Sequence, residues 1–178
     1  MSASDVASPG MDTADELRAH GFTGFRTVGM LRDEGAASVP VEAGVWVVLR
    51  DGAGLPHFLS HSTGAHWRGM DPSETADALG ARWVAKAGVL YVASAAGPGV
   101  RSLLQQRVKR FLRFGMGRNV AHWEGRSIWQ LGGASSLRIA WKTLPAAEAR
   151  AAAERLLEGF VQRHGMRPFA NAPGDDET

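Results

Sequence analysis

Cysteine is absent from the 178-residue chain, and tyrosine occurs once, at Tyr91. Without thiols there is no disulfide framework and no thiolate metal centre, so the fold depends on its core; a reducing, cytoplasmic setting is the expectation. Long apolar runs are missing as well. The stretch 45–49 (VWVVL) is strand-length, far short of the roughly 20 residues that cross a bilayer. No membrane partner is expected. The first twenty residues carry Asp5, Asp12, Asp15 and Glu16 and lack a basic start followed by an apolar stretch, which argues against a signal peptide.

Six tryptophans and a hydrophobic fraction of 44% are enough for a real core, and the length suits one domain. The net charge is only +2, yet seven of the eighteen acids lie at the two ends (Asp5, Asp12, Asp15, Glu16, Asp175, Asp176, Glu177). Eleven acids then face twenty Lys and Arg in between. Residues 101–126 hold seven basic side chains (Arg101, Arg107, Lys109, Arg110, Arg113, Arg118, Arg126) against the single acid Glu124. Such a block attracts phosphates; a solvated helix face accounts for it equally well.

Residues 1–20, polar and acidic, read as a disordered leader, and 172–178 (APGDDET) as a disordered tail. Between them a single domain is expected. Residues 44–50 form a β-rich run ending at the turn signal Asp51-Gly52, and 88–93 form a second. The segment 51–87 is an insertion, with a short capped helix from Asp71-Pro72 through Leu79. Helices are expected over 101–114 and, alternatively as strand, over 123–131. A third strand follows at 137–141. The last helix, 145–164, has Pro145 in its first turn and ends at Gly165.

Helical geometry singles out two charged residues. Leu104, Val108, Phe111 and Leu112 form one stripe, with Arg107 on its edge and Lys109, Arg110 and Arg113 outside it. An arginine beside a core calls for a partner, whether a ligand or a buried ion pair. On the last helix Glu154 borders the face of Ala153, Leu156, Leu157 and Phe160, and Arg150 is its natural i,i+4 neighbour.

The order strand, insertion, strand, two helices, strand, helix carries five matches to one family. They are Gly44-Val45-Trp46, Tyr91-Val92-Ala93, Arg107 in LLQQRVKRFL, Glu154 in AERLL and Asn171 in PFAN. Over roughly 22–171 the chain resembles the GIY-YIG nuclease superfamily, and RFGMGRNVAHWEGRSIWQL and HGMRPFAN are closer to a bacterial subgroup of it. The resemblance implies an α+β fold: a small central sheet of about three strands, flanked by helices. It implies metal-dependent hydrolysis of DNA, with one Mg²⁺ or Mn²⁺ held by Glu154 and the phosphate clamped by Arg107. Tyr91 would orient or deprotonate the water, and Asn171 would fix the glutamate or phosphate.

The chain also departs from the pattern. Trp46 replaces a tyrosine and has no ionisable hydroxyl. Ala93 replaces a glycine, Ser94 stands where a lysine is common, and the two strand motifs lie about 45 residues apart. Two further readings therefore stand beside the endonuclease: a degenerate nucleic-acid-binding module, and an enzyme reusing the site on a small molecule. Trp46, Arg110, Arg118, His122 and Arg126 are the candidate substrate contacts, with base stacking considered for Trp46 and Trp123. His57, His61 and His66 lie close in sequence without the fixed spacing of a metal site. Trp67, Trp83, Trp129 and Trp141 are expected in the core.

Overall fold

The run GVWVVL has the β-branched content of a strand buried on both faces, and it forms the heart of the molecule. In a computed structural model that describes residues 11–52, 54–97, 99 and 102–173, β2 (Gly44–Leu49) is buried at every position. The elements run α1 (Ala14–Ala19), β1 (Thr23–Thr27), α2 (Val28–Asp33), β2, α3 (Ala76–Arg82), β3 (Val89–Ala95), α4 (Leu104–Gly115), β4 (Arg138–Thr143) and α5 (Ala146–His164). The fold is α+β, with one open sheet in the order β1-β4-β2-β3. Every pairing is antiparallel.

The sheet has four strands, not three. The additional strand, β1, is an outer one whose TGFRT sequence lacks apolar alternation. A bulge at Phe25, with φ of 52°, lies where its register against β4 shifts. The expected leader is also too long. Residues 14–19 are helical, and the Thr13–Glu16 capping box that starts α1 satisfies its first N–H groups. Asp12 is buried and accepts from the backbone N–H of Gly88 and Val89, while His164 lies 3.0 Å from its other oxygen. At the other end Ala172 is buried, so the body extends past the expected start of the tail. Residues 1–10 and 174–178 lie outside the described part.

Side-chain alternation divides the core. Val45, Val47 and Leu49 point to one face, where they meet Leu17 of α1, Phe22 just before β1, Val92 of β3, and Ala153 and Phe160 of α5. Trp46 and Val48 point to the other, where α4 brings Leu104, Val108, Phe111 and Phe114. Arg101, proposed as the start of that helix, lies outside the described residues; α4 opens at Leu104 with Leu103 as its N-cap. Gly115 at its end allows close packing, because a Cβ there would stand 2.3 Å from the Trp129 indole.

Residues 123–131 form neither a full helix nor a strand: Arg126–Gln130 is one 3-10 turn. The insertion docks on this turn through buried polar groups. Arg82 donates to both Glu74 oxygens at 2.7 and 2.8 Å, and Ser127 Oγ donates to Glu74 at 2.9 Å. Gln130 accepts from Glu74 N–H and donates to the Glu74 and Leu59 carbonyls. Burial alone would raise the Glu74 pKa, but the Arg82 and Ser127 hydrogen bonds outweigh it and hold the carboxyl below its ordinary value.

Candidate phosphate-binding cleft

β3 is an outer strand of the sheet. Its backbone would expose unpaired groups, which the C-terminal segment covers. Ala170 N–H donates to the Leu90 carbonyl at 2.8 Å. The Asn171 side chain accepts from Val92 N–H and donates to Val92 C=O, both at 2.9 Å. Asn171 thus acts as a strand partner one residue long. Its amide is engaged by the Val92 backbone, while the residue also lines the cleft with Glu154 and Arg107.

Above that edge lies a cleft of about 400 Å³, lined by Tyr91, Arg107, Glu154 and Asn171. These residues come from β3, α4, α5 and the C-terminal segment, and α4 and α5 pack on opposite faces of the sheet. Glu124 and Arg150 line the same cleft. The Arg107 guanidinium has its Nη1 4.0 Å from Glu124 Oε2, too long for a firm hydrogen bond, and its Nε is buried without a hydrogen-bond partner. Glu154 is exposed, with its Oε1 3.4 Å from Arg150 Nε. Glu154 therefore combines a place in the cleft wall with the i,i+4 ion pair expected from the sequence.

Tyr91 is nearly covered, at 3% exposure, stacked with Phe111 and set edge-on to Trp46. Gly125 lies against the phenol ring: its φ is 70°, and a Cβ would come within 3.0 Å of the ring. Glycine is favoured there on both counts. Trp46 is fully buried, enclosed by Tyr91, Phe111 and His122. A substrate cannot touch it without opening the core, and its assignment as a substrate contact is corrected on that ground.

His122 is also buried, with no hydrogen-bond partner on Nε2. Burial, and then the Arg107 and Arg110 charges, lower its pKa to about 3, so the ring is neutral at physiological pH. It lines a second cavity of about 270 Å³, together with Arg110 and Trp123. Arg110 donates to the Ala121 carbonyl at 2.8 Å. The Arg126 guanidinium lies 4.6 Å from the Trp123 ring centre. Arg118 is exposed and lines neither cavity.

The three histidines separate. His57 packs beneath Gly132, His61 lies 3.2 Å from Ser60 Oγ, and His66 lies 3.8 Å from Asp71. Trp129 and Trp141 are buried, while Trp67 and Trp83 pack at the margin of the core. The sequence reading missed Glu124 as a second carboxylate of the cleft. Its signal was its place as the sole acid in the basic block. Gly125 had no such signal, because its role arises from the Tyr91 ring.

Among the described residues no group of three or more His, Asp or Glu side chains is placed to hold a metal. A single carboxylate with a shell of water is still an accepted mode for Mg²⁺ or Mn²⁺. The exposed Glu154 oxygens fit that mode. No family model, curated protein or solved structure matches the chain.

Proposed function

We propose that this cleft binds and hydrolyses a DNA phosphodiester, making the protein a divalent-metal-dependent endonuclease of GIY-YIG type. The observation that carries the reading is the meeting of Tyr91, Arg107 and Glu154, from three separate elements, in one cleft. Hydrolysis of a phosphodiester requires positive charge at the phosphate, an oriented water and stabilisation of the leaving oxygen. Arg107 supplies a permanent, planar charge whose contact with Glu124 is loose enough to exchange for a phosphate. The Tyr91 phenol, packed against Phe111 and Trp46, lines the cleft and would orient the water. Glu154 would hold the ion, which when bound would supply Lewis-acid stabilisation of charge on the phosphate and leaving oxygens.

Two observations favour a binding module as the second reading: Tyr91 is almost buried, and the Asn171 amide is engaged by Val92. The small-molecule reading called for the insertion to cover the Tyr91–Arg107 cleft, and among the described residues none of 51–87 lines it. Nicking of supercoiled plasmid in Mg²⁺ or Mn²⁺ decides between the first two. The endonuclease nicks, and Glu154→Ala and Arg107→Ala each reduce the rate by about 100-fold or more. Salt-sensitive DNA binding without cleavage selects the binding module.

A further inference from the structure

We propose that the cavity between Trp67 and Trp123 is a slot for one unpaired nucleobase, set beside the phosphodiester cleft. The inference rests on the nucleic-acid reading and gives that site a substrate class: DNA with an extrahelical or single-stranded nucleotide. The slot and the cleft share Arg107 and Glu124 as a common wall, so a base in one lies next to a phosphate in the other. At about 270 Å³ the slot is smaller than the ~300–1,000 Å³ usual for drug-sized ligands and suits a single heterocycle. A base in a duplex has both faces stacked and would have to leave the stack to enter.

The walls have the chemistry of base recognition. Trp67 and Trp123 are both partly exposed and both line the slot. Aromatic faces of this kind hold bases of any sequence by stacking. A guanidinium lies over each indole ring, Arg68 at 5.6 Å and Arg126 at 4.6 Å, which adds positive charge beside the stacking surfaces. His122 adds a buried, neutral imidazole to the lining of the slot.

The insertion supplies one wall of the slot through a tight turn. Trp67 and Met70 close a two-residue turn with paired N–H to C=O bonds of 3.0 and 2.9 Å. Its central residues have positive φ, 50° at Arg68 and 77° at Gly69. A non-glycine residue held there costs energy, as is common at functional sites. The turn carries Met70, 46% exposed, to the rim of the slot.

The test compares three DNAs in EDTA, by anisotropy, with the full chain: a continuous duplex, the same duplex with a one-nucleotide bulge, and that bulge made abasic. The base-bearing bulge is expected to bind about tenfold more tightly than either other DNA. Trp67→Ala and Trp123→Ala are each expected to abolish that preference while retaining affinity for continuous duplex, with thermal unfolding as the check on folding. With wild-type protein and 2-aminopurine as the bulged base, emission is expected to fall on binding as the ring stacks on indole. Equal affinity for the abasic bulge, or unchanged or increased 2-aminopurine emission at saturation, overturns the slot. A bulge preference without plasmid nicking keeps the slot and removes the endonuclease. Nicking without a preference does the reverse, and absence of binding to all three DNAs ends both.

Discussion

The two faces of the sheet are built from different materials. On the α5 face Val45, Val47, Leu49, Val89 and Val92 meet Leu17, Ala153 and Phe160, a largely aliphatic layer. On the α4 face Trp46, Tyr91, Phe111 and Trp129 form a chain of ring contacts joined by His122. That second layer buries polar atoms without partners: Trp46 Nε1, Trp129 Nε1 and His122 Nε2. An unpaired buried polar atom costs about 1–3 kcal/mol. The aliphatic face is organised for stability, and the aromatic face keeps polar groups beneath the cleft and the slot at the expense of some of it.

Phe160→Ala should separate the two most sharply. It removes a buried ring from the aliphatic face and is expected to lower unfolding free energy by about 3–5 kcal/mol in urea titration. Arg107→Ala is the complement on the cleft side. On the endonuclease proposal its effect is expected in the nicking rate, at about 100-fold or more, with stability changed by less than about 1 kcal/mol because the Glu124 contact is 4.0 Å long. Equal stability losses from the two variants would erase the distinction.

Acid should act on the aromatic face through His122. Its folded pKa of about 3 lies below the ordinary 6.5, so between those values the unfolded chain binds the extra proton and stability falls as pH falls. At ~1.4 kcal/mol per unit, the loss attributable to this group is about 2 kcal/mol between pH 7 and pH 5. His122→Leu should flatten the slope over that window; an unchanged slope would assign the sensitivity elsewhere. Gly125→Ala has the smallest expected effect, about 1–2 kcal/mol from its left-handed backbone, together with a change in near-UV tyrosine dichroism as Tyr91 shifts. A silent spectrum would show that Gly125 does not hold the phenol.

Much of this was legible in local pattern. The β2 run, the α4 stripe and the Pro145-to-Gly165 bounds of α5 all follow from periodicity and caps, and the structure shows them with small shifts at the ends. The borders occupied by Arg107 and Glu154 could be read from helical angles alone. β1 could not, because an edge strand with a bulge has no alternation, and α1 was hidden in an acidic segment that shares the composition of a disordered leader. Asn171 and Trp46 were read as chemical groups, whereas one amide spans the backbone of Val92 and the other residue's indole is sealed in the core.

Sequence by itself determined the identity of the charged cleft residues and the helix borders that present them, since a 100° step per residue needs no partner to define it. It also determined that Tyr91 is the one phenol in the chain. Only the tertiary structure decided that α4 and α5, on opposite faces, bring Arg107 and Glu154 to the same edge of β3. It alone set the Trp67 turn beside Trp123. Such meetings arise from strand order and docked surfaces, which are properties of contacts far apart in the chain and are absent from any local window of residues.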